Sequence, residues 1–245
     1  MKLLLSSLFL LLCGAGYAQQ QDSVTIRGRV TDYNGLPIDS CSVAWQGPSF
    51  DFLKEAITDK DGYYAVRIAK GKYQSVAAIN MSTYPRFARP GLPEADQRLE
   101  FWAWNFIADR DTTLNIQYHR MEAHSLHAFS IAGGIPTYQI FVRPMSLTRF
   151  LNWQAGKAKT ISLAPPADKL KVVVWIDGEE VPVLMKQPVK ENLTEYGNAY
   201  LLTVDMPKHP KKGLPYRVFK VELTDLENGD RGEGLYYMEK ENYVK

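Results

Sequence analysis

From Val24 onward, apolar residues recur at every second position in short runs, with Gly, Pro, Asn and Asp between the runs. That period belongs to half-buried strands rather than helices. Val24, Ile26, Gly28 and Val30 share one face of a first strand, and Asn34-Gly35 followed by Pro37 marks the turn after it. Cys41 to Gln46 forms a second strand and Leu53 to Thr58 a third. Asp59-Lys60-Asp61-Gly62 is a tight turn in which glycine permits a positive φ. Tyr63 to Ile68, Tyr73 to Met81, Leu99 to Phe106 and Thr112 to Tyr118 complete seven strands, the spacing of a β-sandwich. Along Leu99 to Phe106, alternation puts Trp102, Trp104 and Phe106 on one face and Phe101, Ala103 and Asn105 on the other. Ser82 to Arg98, with Pro85, Pro90 and Pro93, is longer than an ordinary connection and is expected to be irregular.

The β rhythm continues from about Arg120. Leu126, Ala128 and Ser130 alternate with His127, Phe129 and Ile131; Ala132-Gly133-Gly134-Ile135-Pro136 is a turn; Tyr138, Ile140 and Val142 alternate again. Leu170 to Ile176 is strongly β-prone, and Asp177-Gly178 turns it into Val181 to Leu184. Tyr200 to Val204, Tyr216 to Leu223 and Gly234 to Met238 are further strands, the last two joined through Asn228-Gly229-Asp230. The expectation is an all-β chain of two β-sandwich domains, residues 24–118 and 119–245, with an immunoglobulin-like sandwich as the candidate for the second. Internal repeats are absent.

Four motifs in order carry a resemblance: Gly28-Arg29-Val30-Thr31-Asp32, Asn34-Gly35-Leu36-Pro37-Ile38, Thr58-Asp59-Lys60-Asp61-Gly62-Tyr63-Tyr64 and Gly71-Lys72-Tyr73. Over Val24 to about Met81 the chain resembles the carboxypeptidase regulatory-like domain, a transthyretin-like (prealbumin-like) sandwich of seven strands. The resemblance implies a non-catalytic module of exported envelope proteins. In that family the module precedes a TonB-dependent barrel or accompanies a zinc carboxypeptidase, and too few residues remain here for either. It implies fold more strongly than function.

Residues 1–18 change the picture of location. Lys2, an apolar run from Leu3 to Leu12 broken only by Ser6 and Ser7, and Gly16-Tyr17-Ala18 before Gln19 predict a cleavable signal peptide. The run is far short of the roughly twenty residues of a membrane span, and no other stretch is long and apolar enough. A rival route is lipidation at Cys13, which would tether the chain; a small residue normally precedes such a cysteine, and here it is Leu12. The expected location is the periplasm, the outer membrane or the cell surface of a Gram-negative-type envelope. Cleavage leaves 227 residues with 28 basic against 27 acidic side chains, net +1. Cys41 is then the lone cysteine, no intramolecular disulfide can form, and stability must come from packed cores. Because Cys41 alternates with Val43 and Trp45, it is expected to be buried.

Composition narrows the class. Apolar residues are 45% and charged residues 23%, which excludes wholesale disorder. With 29 basic and 27 acidic side chains the net charge is +2, without the basic excess of a nucleic-acid binder.

Candidate chemistry is thin. Trp102 and Trp104 either fill the core or the domain junction, or form a stacking platform for a sugar ring beside Tyr84, Arg86 and Arg89. Arg86, Arg89 and Arg98 are the one local cluster suited to an anion. His119-Arg120-Met121-Glu122 has the spacing of an H-x-x-E zinc pair, but a third ligand from His124, His127 or His209 has no telling spacing, and no metal or other cofactor is predicted. Asp59 and Asp61 are expected to serve their turn rather than calcium. No Gly-x-Ser-x-Gly elbow or phosphate loop occurs, and no catalytic residue is predicted. The sequence therefore points to a non-enzymatic envelope accessory protein with a protein partner; a carbohydrate-binding protein is the alternative.

Overall fold

The computed structural model describes residues 22–159, 161–191 and 199–240, so the segment expected to be a signal peptide, with Cys13, and the charged tail from 241 lie outside the described residues. In chain order the strands of the first half are β1 (Ser23–Thr31), β2 (Ser42–Gln46), β3 (Phe52–Ile57), β4 (Tyr63–Ala69), β5 (Gly71–Lys72), β6 (Ser75–Ile79), β7 (Phe101–Trp104), β8 (Ile107–Ala108), β9 (Thr112–Thr113) and β10 (Ile116–Gln117). Then come β11 (Met121–Phe129), β12 (Thr137–Ser146), helix α1 (Leu147–Gln154), β13 (Leu170–Ile176), β14 (Glu179–Val181), β15 (Val183–Val189), β16 (Ala199–Asp205), β17 (Tyr216–Asp225) and β18 (Arg231–Glu239).

Three sheets form the body of this all-β sandwich fold. The central one has eight strands in the order β14-β13-β17-β18-β7-β6-β2-β3. A smaller sheet, β10-β1-β4 with β9 also on β1, packs on one of its faces; the sheet β11-β12-β16-β15 packs on the other. Three residues of β7 show the division. Phe101 and Ala103 enter the first core with Ile26, Val30 and Trp45, whereas Trp104 leans on the second with Met121, Ile140 and Phe219. β18 divides in the same way, Tyr237 into the first core and Tyr236 into the second. Strands from both sides of position 118 thus share one sheet, joined by the parallel pairing of β7 with β18, Gly234 opposite Trp102.

Alternation accounts for most of the first core. Val24, Ile26 and Val30 are buried on β1, and Cys41, Val43 and Trp45 are buried in a row at β2. Burial pushes the Cys41 thiol up to about 12, so it stays protonated and inert. Gly28 keeps the row flat because a Cβ there would lie 1.9 Å from the carbonyl oxygen of Leu114. The segment 112–118 runs parallel to β1 on that side. At the Asp59–Gly62 turn, Asp59 Oδ1 accepts the N–H groups of Asp61 and Tyr63 at 3.0 and 2.8 Å, and Gly62 takes φ +81°. The carboxylate is thus used by the turn itself.

Phe106 departs from the expected pattern. It does not share a face with Trp102 and Trp104 but is buried in the first core, edge-on to Trp45. The reason is Asn105, whose φ of +51° ends β7 and inverts the phase of the chain. The strand expected over Leu99 to Phe106 therefore shortens to Phe101–Trp104.

Helix α1 is an addition to the strand pattern. Ser146 caps it by accepting the Arg149 N–H at 3.2 Å. Asp230, from the β17–β18 turn, accepts the Thr148 N–H at 2.9 Å and the Ser146 hydroxyl at 2.6 Å. A carboxylate at this end also suits the helix dipole.

Candidate functional site

On β7 the side chains of Trp102 and Trp104 point away from the first core, at the place where the central sheet extends past the edge strand β11. Their rings stack on each other with centroids 5.1 Å apart and planes 16° from parallel. Two rings meet both of them edge-on. Phe50 lies 6.5 and 6.2 Å from Trp102 and Trp104, and His124 of β11 lies at the same two distances. Phe50 is held at φ +60°, a conformation rare for a bulky side chain, so the β2–β3 connection folds back over the pair. Both tryptophans are half-buried.

Carboxylates adjoin the aromatic group. The indole N–H of Trp102 donates to Glu100 Oε1 at 3.3 Å, and His124 Nδ1 is 2.6 Å from Oε1 of buried Glu122. Tyr84 lies beside Glu100. Burial, then the negative charge of Glu122, raises the Glu100 pKa to about 7. Burial also works against a charge on His124, but its hydrogen bond and ion pair with Glu122 prevail and raise its pKa. The Trp104 indole N–H is buried without a partner among the described residues. The group thus brings two mutually stacked indoles, an acid that titrates near neutrality and a tyrosine hydroxyl to one place.

This acid makes a prediction with a definite sign. In the unfolded chain Glu100 ionises at the ordinary glutamate value, but in the fold it keeps its proton until about pH 7. Between those two values the folded state binds more protons, so stability falls as pH rises. Glu100→Gln keeps the acceptor for Trp102 and removes the titration. From about pH 5 to about pH 8 the variant is expected to gain melting temperature relative to the parent chain. Parallel melting curves at all pH values would refute the assignment.

Of the residues singled out from sequence, Trp102, Trp104 and Tyr84 converge here. Arg86 lies over the Phe87 ring at 5.5 Å, and Phe87 stacks on Tyr84 at 6.2 Å, so Arg86 flanks the group. Arg89 does not join it. It lines a separate cleft of about 400 Å³ with Arg98, Asp32, Asp39 and Asp96. Arg98 pairs with Asp32 at 3.9 Å and donates to the Asp96 carbonyl at 2.7 Å. Arg89 and Arg98 therefore share their surroundings with acids. His119 and Glu122 are not joined either: Glu122 binds His124, and the His119 carbonyl accepts the Leu99 N–H at 2.8 Å. Among the described residues no three His, Cys, Asp or Glu side chains gather as a metal site. Glu100 was within reach of sequence, since it shares the alternating face of Trp102 and Trp104. Phe50 carried no local sign, because its place is set by a loop crossing two strands.

No protein-family profile matches the chain, and no curated protein matches it. Solved structures are similar to it only distantly. One DUF3823 family protein from Bacteroides ovatus is 10% identical with a TM-score of 0.28, covering 89% of this chain and 97% of that one. Another, from Parabacteroides merdae, is 11% identical with a TM-score of 0.27, covering 89% and 98%. BcpA, the major pilin subunit of Bacillus cereus, is 12% identical with a TM-score of 0.27, covering 89% and 69%. Likeness at this level carries no argument about what the chain does.

Proposed function

We propose that the chain is a non-catalytic accessory protein of a Gram-negative-type envelope, exported under residues 1–18, that works by holding a protein partner. On this reading residues 24–118 are a carboxypeptidase regulatory-like module and 119–245 a second sandwich fused to it. The observation that carries the proposal is where the charged side chains are used. Asp177, Asp225, Asp230 and Glu233 are all buried, and they pair with Arg217, Arg149, Arg120 and Lys220 at 2.8, 2.6, 3.2 and 2.6 Å. These four acids are spent holding strands and the α1 terminus in place. Cross-linking in intact cells followed by purification tests the proposal: a discrete envelope partner is expected, and recovery as a lone monomer from every fraction would count against it.

A second reading is carbohydrate binding at Trp102 and Trp104, and the placement of Tyr84 and Glu100 beside their rings favours it. The two tryptophans are separable by substitution. Trp104 leans on the second core, so Trp104→Ala is expected to cost about 3 kcal/mol. Trp102→Ala should cost less and, if sugars bind here, should abolish binding on a glycan array. An array with no hit for the parent chain would sink the sugar reading.

A further inference from the structure

The end of the molecule where β11 turns into β12 carries apolar side chains that neither core uses. Gly134 N–H donates to the Ile131 carbonyl at 3.0 Å and Gly133 takes φ +73°, so the chain reverses tightly. Ile131 and Ile135 are left 64% and 79% exposed. Leu184 and Met185, also exposed, join them around a cavity of about 330 Å³. On the opposite flank Met206 shares a cleft of about 700 Å³ with the same turn. Contiguous apolar surface of this kind marks a binding face.

Charge identifies what covers it. Thr137, at the start of β12, pairs with Asp205, at the end of β16. The loop Met206–Gly213 therefore leaves the same end of the sheet as the isoleucine turn. It holds Lys208, His209, Lys211 and Lys212, all exposed, and no acid. Among the described residues these lysines make no ion pair. The neighbouring acids are largely engaged. Glu179 accepts the N–H groups of Lys208 and His209 at 2.8 Å each, Asp177 pairs with Arg217 at 2.8 Å, and Asp205 accepts the Met206 N–H at 2.8 Å. Glu180 of β14 is exposed.

We propose that this end docks on an anionic lipid bilayer, Ile131, Ile135, Leu184 and Met185 entering the interface while Lys208, Lys211 and Lys212 lie over the headgroups. Protruding apolar tips beside unpaired lysines are complementary to a surface that is apolar below and negative above. The inference goes beyond the partner-binding reading, since it sets the chain against the membrane itself.

Vesicle sedimentation tests it, using 3:1 phosphatidylcholine:phosphatidylglycerol against pure phosphatidylcholine, with one N-terminus common to all variants. The parent chain is expected to prefer the anionic vesicles. The triple variant Lys208→Gln/Lys211→Gln/Lys212→Gln should lose that preference by on the order of 100-fold, about fivefold per lysine. Ile131→Ser/Ile135→Ser should lower partition at least about tenfold on anionic vesicles. All five positions are exposed, so melting temperatures should not move, and added salt should imitate the lysine variant. Equal partition of the parent and both variants overturns the proposal, as does parent binding indifferent to anionic lipid. Self-association lost in Ile131→Ser/Ile135→Ser, with no vesicle binding, overturns it in favour of a second copy.

Discussion

Gly232→Ala is expected to destabilise the chain by about 3 kcal/mol or more, at the upper end for a single added methyl group. Gly232 sits on β18 under β11, and a Cβ there would lie 1.8 Å from the carbonyl oxygen of Met121 and 2.5 Å from its carbon. Both obstacles are backbone, so no side chain can rotate away. Relief requires β11 to lift from the central sheet, which opens the core around Met121, Ala123 and Leu126. For a chain of this size the loss corresponds to a fall in melting temperature of roughly 6–12 °C. Gly35→Ala is the control, since Gly35 takes φ +78° with nothing within 4 Å, and only backbone strain of about 1 kcal/mol applies. Urea unfolding of both variants decides. If Gly232→Ala is no more destabilised than Gly35→Ala, the close approach of β18 to β11 is wrong.

Asp230→Ala is expected to cost about 3–5 kcal/mol for a different reason. Asp230 is 2% exposed and accepts from the Ser146 hydroxyl, the Thr148 N–H and hydroxyl, and Arg120 Nε, at 2.6, 2.9, 2.9 and 3.2 Å. Its removal leaves the largely buried Arg120 guanidinium without its carboxylate and the Thr148 N–H at the start of α1 without its acceptor. An unpaired buried charge is costlier than the pair was favourable. Arg120→Ala added to Asp230→Ala should therefore cost less than the sum of the two single changes. Additive losses, or a cost for Asp230→Ala below about 1 kcal/mol, would show that the cluster does not hold α1 against the β17–β18 turn.

Much of this was legible in the chain. Alternation at Val24, Ile26 and Val30 and at Cys41, Val43 and Trp45 placed the first core, and the turns at Asn34-Gly35 and Asp59–Gly62 lie where their residues predict. The helix was legible in principle: Ser146 precedes apolar Leu147, Phe150 and Leu151, a cap followed by helical spacing, but a β rhythm on both sides obscures it. Phe106 was not legible. One residue with left-handed φ, Asn105, reverses the face on which everything after it falls, and asparagine permits that conformation without announcing it. The site was half legible. Trp102, Trp104 and Glu100 follow from one strand's alternation, whereas Glu122 and His124 arrive from β11 and Phe50 from the β2–β3 connection through the tertiary fold. Arg89 and Arg98 looked basic only because their acidic neighbours, Asp32, Asp39 and Asp96, are partly distant in sequence, whereas Arg86 lies apart over Phe87.

The strand β18 has a kinetic meaning. It supplies Tyr237 to one core and Tyr236 to the other, and its partner β7 lies more than a hundred positions earlier in the chain. Neither core can close around its full set of side chains until this last described strand is available. A chain emerging from its N-terminus would thus remain open through most of its length and then condense in one cooperative step. Such a topology folds slowly for its size, since its decisive contacts join remote segments.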